Sequence, residues 1–208
     1  MINLLKASFI SFDKYRFRCM IKYQEKIINA YVSSSMSIKK HLQNSSLTNI
    51  PCLIYNNKRG GFTLFALLLN DQYIIVDLKI VNHLFGEYLN SSSLIYEKNI
   101  DGYRCDIYDY DKREIYELKT IMSDLITVNY PDHGTCRYKN QLLKIDTIYQ
   151  YKKNIVFLLL NNTINEVIFD EGLIGLMQHN NIKFYYCFLN EKVQLFIHEA
   201  KIKNNLEV

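Results

Sequence analysis

The feature that most limits how this chain folds is a change of periodicity near residue 77. Before it, segments with the residue content of short strands occupy 16–23, 26–32, 52–55, 62–69 and 72–76, and turn-forming Asn56-Asn57, Gly60-Gly61 and Asn70-Asp71 punctuate them. Short strands joined by polar turns over about 80 residues predict a small closed or partly closed barrel, of which the OB-fold is the common nucleic-acid-binding version. After it, Ile80, Val81, Leu84, Phe85 and Tyr88 fall at helical spacing over 79–88, and Ser91-Ser92-Ser93 breaks the run. Strands are expected at 94–98, 103–108 and 114–119, with Asp109-Tyr-Asp111 as the hairpin turn between the last two. A helix over 137–151 would carry Tyr138, Leu142, Ile145, Ile148 and Tyr149 on one face. A buried strand at 154–160, a helix at 171–179 and strands at 183–189 and 193–198 complete the chain. The expected fold class is therefore α+β or α/β, with an OB-like β-barrel over 1–83. Residues 84–208 form a second domain whose mixed β-sheet is flanked by helices.

Charge separates the same two parts. Residues 1–83 hold 11 Lys/Arg against 4 Asp/Glu, and the remainder holds 14 against 17, so +7 faces −3. A basic barrel suits a polyanion, because phosphate neutralisation and counterion release supply most sequence-independent affinity for nucleic acid. An acidic remainder suits a divalent cation. The lysines also suit plain solvation of exposed faces. The five cysteines are odd in number, widely spaced and form no CxxC pair, which predicts reduced thiols and a cytoplasmic protein without a structural zinc site. The longest apolar runs, 62–69 and 155–160, are far shorter than the roughly 20 residues of a membrane span. The opening MINLLKASFISF lacks an apolar core and a small-residue cleavage site before Asp13, so neither membrane nor secretion is expected.

One constellation carries chemistry. Tyr103-Arg-Cys-Asp106 lies on one expected strand, and Glu117-Leu-Lys119 on the next. Period-two alternation sends Glu117 and Lys119 to one face, where a hairpin partner can bring Asp106 beside them. Two carboxylates offer hard oxygens to a divalent cation, and the cation can polarise a phosphate and acidify water. A lysine adjoining that water can orient it, help deprotonate it or balance the charge that develops at phosphorus. This resembles the arrangement of PD-(D/E)xK nucleases. The triplet alone is common: Glu199-Ala-Lys201 is a second copy and Asp77-Leu-Lys79 an aspartate version, and taken by itself the triplet reads more readily as a surface ion pair on an edge strand. Only the copy at 117 follows an apolar strand with an acidic residue placed on the preceding one.

The surrounding residues are similar to the sugar fermentation stimulation protein A (SfsA) family over most of the chain. Glu117-Leu-Lys-Thr-Ile-Met-Ser, then Tyr130-Pro-Asp-His-Gly-Thr135-Cys-Arg137 and Leu142, resembles that family's Glu-Val-Lys-Ser strand followed by Phe-Pro-Asp, Thr and Arg opening a helix. Arg104 and Asp106 match its Arg-x-Asp strand, and Glu97 falls on an acidic residue just upstream. Val76-Asp-Leu-Lys-Ile-Val-Asn82-His-Leu84 is similar to its Val-Asn-Thr…Ala-Asn-x-Leu helix, and Arg16-Phe17 to its early Arg-Phe. Two departures stand out. Tyr31-Val-Ser33-Ser-Ser35-Met36 replaces the family's Cys-Pro-Asn-Thr-Gly, and Asn140-Gln141 replaces its Lys-His, with Lys139 one residue earlier. The resemblance implies an OB-like barrel, a PD-(D/E)xK nuclease domain, nucleic-acid binding and metal-dependent cleavage.

Together these readings assign catalysis to Asp106, Glu117 and Lys119, and Mg2+ or Mn2+ to Asp106 and Glu117 with Glu97 as an outer ligand. DNA or RNA contact falls to Arg16, Lys39, Lys40, Lys58, Arg59, Arg104, Arg137 and Lys139. Two other classes remain open: a DNA-binding regulatory protein of the sugar fermentation stimulation type that does not cut, and an interaction protein in which the triplet is a surface ion pair. Some of the 17 tyrosines could stack on bases of a single strand, but in so Tyr-rich a chain most are expected in the core or at its rim.

Overall fold

A computed structural model describes residues 3–13, 17–32, 38, 42, 47–58, 60–131 and 135–206. The first five strands are β1 (Leu5–Phe12), β2 (Arg18–Tyr23), β3 (Lys26–Tyr31), β4 (Ile50–Asn56) and β5 (Phe62–Leu69). They close a barrel: β1 pairs antiparallel with β2 and β4, β2 with β3, and β4 with β5, while β3 and β5 pair in parallel. Alternation builds its core, since Cys19 and Ile21 of β2 point inward beside Phe9, Ala30, Ile54 and Leu64, whereas Arg18, Met20 and Lys22 point out. Register shifts at Phe9/Ser11 and Leu53/Ile54 supply the local bending that closure requires. The β2–β3 hairpin turns through Gln24 and Glu25, both at positive φ (47° and 62°), which matches its right-handed twist.

β1 has no counterpart among the strands expected from sequence. Its outward positions include Lys6 and Ser8, and its alternation is blurred by a bulge, so the segment reads as a poor leader rather than a strand.

β6 (Gln72–Ile75) pairs with β5 and leads into α1 (Leu78–Leu89), so a division at residue 83 falls inside this helix. The Asp77 carboxylate caps α1, accepting from the Lys79 N–H at 3.3 Å and from the Tyr55 hydroxyl at 2.8 Å. That gives the Asp-x-Lys at 77 a structural role. The second part contains β7 (Leu94–Tyr96), β8 (Asn99–Ile100), β9 (Tyr103–Arg104), β10 (Ile107–Asp109), β11 (Glu114–Ile121), β12 (Thr127–Tyr130), α2 (Thr135–Asp146), β13 (Lys152–Leu159), β14 (Glu166–Phe169), α3 (Glu171–Met177), β15 (Asn181–Asn190), β16 (Leu195–Glu199) and β17 (Lys203–Asn204).

β11, β13 and β15 are parallel neighbours, and α2 and α3 lie in the two crossovers between them. β10 and β7 extend the sheet antiparallel on one side, and β16 pairs antiparallel with β15 on the other. The sheet is thus mixed, as expected. It also joins the barrel directly, because Leu189 pairs with Tyr73 and Asn190 with Gln72. Tyr116 and Leu118 of β11 belong to the same core as the barrel, with Val81 and Phe85 of α1. The opposite face of β11 is covered by α2, where Tyr138, Leu142 and Ile145 are buried. Burying such a side chain contributes about 1.5–3 kcal/mol.

α2 ends at Asp146, five residues before the end expected from sequence at 151. Thr147 and Ile148 make i→i−3 bonds to Lys144 and Ile145, Ile148 stays buried, and Tyr149 is 88% exposed. Among the described residues no helix is long and apolar enough to cross a membrane.

Candidate active site

The site is built where two strands part. The residues expected to form one strand over 103–108 are two short pieces, β9 and β10, broken at Cys105-Asp106. β10 follows β11 only from Asp109↔Glu114 to Ile107↔Tyr116, after which the β10 side of β11 has no strand partner among the described residues. The Asp106 carboxylate fills that gap, its Oδ2 accepting from the Leu118 N–H at 2.7 Å. Along a strand the N–H and C=O of one residue face the same edge. The Leu118 carbonyl therefore shares this edge, consistent with the Ile121 carbonyl facing β13 and accepting from Leu160.

Glu117 and Lys119 flank Leu118 and point to the α2 face. Lys119 Nζ donates to Glu117 Oε1 at 2.6 Å and to Gln141 Oε1 of α2 at 2.9 Å, and it lies 5.2 Å from the centre of the Tyr138 ring. Glu117 is 4% exposed, and its Oε2 accepts from the Tyr103 hydroxyl. Asp106 Oδ1 accepts from Asn82 Nδ2 of α1 at 3.3 Å. Asp106, from the break between β9 and β10, thus meets Glu117 and Lys119 of β11, with Asn82, Tyr103 and Gln141 holding one each.

Burial pushes the Asp106 carboxyl up to about 6, and the neighbouring Glu117 charge adds to this against the Leu118 N–H, Lys119 and Asn82. Burial, and then the Glu117 charge, also raise the Tyr103 phenol, so its proton stays on the hydroxyl that serves Glu117. Burial raises Tyr138 as well; its hydroxyl is buried and has no hydrogen-bond partner among the described residues.

Among the described residues no group of three His, Cys, Asp or Glu side chains converges to hold a metal ion. The donor set at this edge is two carboxylates and the Leu118 carbonyl, all hard oxygens. That fits Mg2+ or Mn2+, since Mg2+ is commonly held by one or two carboxylates and completed by water and substrate phosphate. Each Asp106 and Glu117 oxygen has a single hydrogen-bond donor, which leaves a lone pair for a cation.

Glu97 lies next to this edge through its backbone, its N–H donating to the Asp106 carbonyl at 3.0 Å, while its carboxylate pairs with the exposed Arg104 guanidinium. Arg137 and Lys139 are exposed on α2, and Lys58 is exposed in the β4–β5 turn. Arg16, Lys39, Lys40 and Arg59 lie outside the described residues. All five cysteines are free, and only Cys136 is exposed.

Three contacts at the site were not anticipated as such. Asn82 was visible only as part of an Asn-x-Leu pattern, and Tyr103 as a strand residue. Gln141 was visible as a departure from the Lys-His of the resembling family, yet it occupies the position that touches Lys119.

No family model and no curated protein matches the chain. Among solved structures, that of Pyrococcus furiosus SfsA in complex with Ca2+ superposes on it with a TM-score of 0.72, covering 99% of this chain and 98% of that one at 14% identity. The chain therefore has the SfsA fold from its barrel through its mixed sheet.

Proposed function

We propose that this protein is a metal-dependent nuclease that hydrolyses phosphodiester bonds of DNA or RNA at Asp106, Glu117 and Lys119. The observation that carries the reading is the placement of Asp106 on the unpaired edge of Leu118, beside the Glu117–Lys119 pair. Asp106, Glu117 and the Leu118 carbonyl would hold Mg2+ or Mn2+, and the ion supplies Lewis-acid polarisation of the phosphate and makes water more acidic. Glu97 is reserved for an outer, water-mediated position because its carboxylate already serves Arg104.

Lys119 does the remaining work. Two of its three N–H donors are spent on Glu117 and Gln141, so the third is free to meet an attacking water or a non-bridging phosphate oxygen. At that position the ammonium orients the water and balances negative charge as the new P–O bond forms and the bond to the leaving oxygen breaks. The attacking water gives up a proton to solvent, and the leaving oxygen takes one up from solvent. Gln141 and the Tyr138 ring keep the ammonium in place without adding negative charge. Arg104, Arg137 and Lys139, with the basic barrel, are assigned to the phosphate backbone.

The test is cleavage of end-labelled DNA and RNA by the purified protein with Mg2+, Mn2+ or EDTA, beside Lys119→Ala. Metal-dependent products from the wild type and a loss of about 10² in rate for the variant support the reading. A second reading rests on the same pair: Lys119 bound on two sides is also a closed internal ion pair, as suits a DNA-binding regulatory protein that does not cut. Salt-sensitive binding with no cleavage under any metal would select it.

A further inference from the structure

A cavity of about 660 Å3 lies between the end of α3, the start of β15 and the segment 200–206. That volume falls within the range of small-molecule sites, roughly 300–1,000 Å3. None of its lining residues belongs to the site at Asp106, Glu117 and Lys119. Met177, Phe184 and Ala200 line it and are buried, which gives it an apolar floor. The Phe184 ring is fixed by stacking on Phe157, with centres 5.2 Å apart and planes 21° from parallel.

The rim carries charge of one sign. Lys201 and Lys203 line the cavity, both are exposed, and neither forms an ion pair among the described residues. No described Asp or Glu lines it. Two carboxylates on adjoining elements are engaged elsewhere: Asp146 pairs with Lys153 at 3.5 Å, and Glu166, opposite Lys203 in the β14–β17 register, accepts from the Thr127 hydroxyl at 2.8 Å. The last carbonyls of α3 are occupied as well, since Ile174, Leu176 and Met177 accept from the Gln178 N–H, Asn180 Nδ2 and the Asn180 N–H. The positive charge at the rim is therefore uncompensated.

Asn180 adds a specific demand. Its Nδ2 donates to the Asp146 carboxylate at 3.3 Å and to the Leu176 carbonyl at 3.1 Å, and two acceptors around one amide atom identify it as the nitrogen. Its Oδ1 is buried and has no hydrogen-bond partner among the described residues. A buried acceptor left unmade is costly, so a ligand that brings an N–H is favoured here. Gln178 presents a second carboxamide, whose Nε2 is turned to the Leu206 carbonyl and whose oxygen remains an acceptor.

A flat ring, an edge of N–H donors and a multiply charged anion occur together in a nucleotide. Its base fits the floor at Met177 and Phe184 and can donate to Asn180, and its phosphate meets the two ammonium groups. Bare phosphate would use the lysines alone, and an aliphatic acid lacks the donor edge. We propose that this cavity binds a free nucleoside monophosphate, held through its phosphate by Lys201 and Lys203 and through its base by Asn180. The inference stands apart from the proposed hydrolysis, because it uses no residue of that site and needs no metal.

The experiment is isothermal titration calorimetry of the full chain in EDTA with AMP, CMP, GMP, UMP, adenosine and inorganic phosphate. At least one monophosphate should saturate a single site with a Kd below about 1 mM, at least about tenfold tighter than adenosine or phosphate. Lys201→Ala combined with Lys203→Ala should weaken it by about tenfold or more, and because both side chains are exposed the ligand-free melting temperature should not move. Lys119→Ala should leave the affinity unchanged, which separates this cavity from phosphate held at that lysine. Asn180 also supports Asp146, so photolabelling of the wild type with azido-AMP replaces a variant there. Labelled peptides within 177–184 or 200–206 support the site.

Inorganic phosphate binding as tightly as every nucleotide, affinity lost in Lys119→Ala but kept in the double lysine variant, label confined to other peptides, or no binding at millimolar nucleotide overturns it. A wild type that binds the nucleotide here but cuts nothing in Mg2+ or Mn2+ keeps this inference and removes the nuclease reading. One that cuts but binds no nucleotide does the reverse.

Discussion

Asp106→Asn should make the protein more stable at neutral pH in the absence of metal while removing a ligand of the proposed metal site. The Asp106 carboxyl is held at about 6 by burial and by Glu117, against an ordinary 3.8. A folded-state value raised above the unfolded one favours the protonated form, so the associated stability is present below pH 3.8 and is lost as pH rises through about 6. Roughly two units at 1.36 kcal/mol each give ~3 kcal/mol, reduced to ~2 kcal/mol because the group keeps some contact with water. Asparagine is nearly the same shape, and its carbonyl can still accept from the Leu118 N–H. Urea unfolding in EDTA, run on both proteins, isolates this one group because every other group titrates in each. The variant should be ~2 kcal/mol more stable near pH 8, with the gap closing to under about 1 kcal/mol near pH 4. Added Mn2+ should raise the stability of the wild type near pH 8 by mass action and leave the variant unmoved. A variant less stable than the wild type near pH 8 in EDTA would refute the argument, because Asp106 would then be a net stabilising charge.

The supports of the site give further tests. Tyr103→Phe removes the donor to the buried Glu117 Oε2 and should cost about 1.5–3 kcal/mol in urea unfolding. Gln141→Leu leaves the Lys119 ammonium with Glu117 as its one hydrogen-bonding partner, so kcat should fall with KM little changed, and Gln141→Asn should not restore it because the shorter amide stops short of Nζ. Lys119→Arg keeps the charge but brings a planar head that stays protonated, so it should recover less than the full rate. Glu97→Gln should reduce metal-dependent cleavage far less than Asp106→Asn, since the Glu97 carboxylate serves Arg104; equal losses would make Glu97 a direct ligand.

The parts of this fold legible in the sequence are those with strong local signals. β5 is an apolar run interrupted only at Thr63 and bounded by Gly60-Gly61 and Asn70-Asp71, and both its ends were readable. α3 begins at Glu171 as its pattern indicates, behind the Asp170 cap. β1 was not legible because a bulge disrupts its alternation, and the short strands β8, β12, β14 and β17 carry too few residues to show a period. The end of α2 was misread for a different reason: Ile148 continues the apolar pattern because it packs under Tyr103 and Tyr108, although the backbone has already left the helix.

At the site, Glu117 and Lys119 were readable because alternation is a local property. What Asp106 does was not, because its role depends on a strand that stops. Had β10 continued along β11, the Leu118 N–H would have met a backbone carbonyl, and the Asp106 side chain would have had no edge to occupy. The break at Cys105-Asp106 gives up ladder hydrogen bonds and leaves two carboxylates close together, which raises the Asp106 pKa. A fold selected for stability alone would have no reason to keep that pair of charges with one lysine between them. The same three side chains are economical if a divalent cation is the missing counter-charge, because its binding converts the repulsion between Asp106 and Glu117 into affinity.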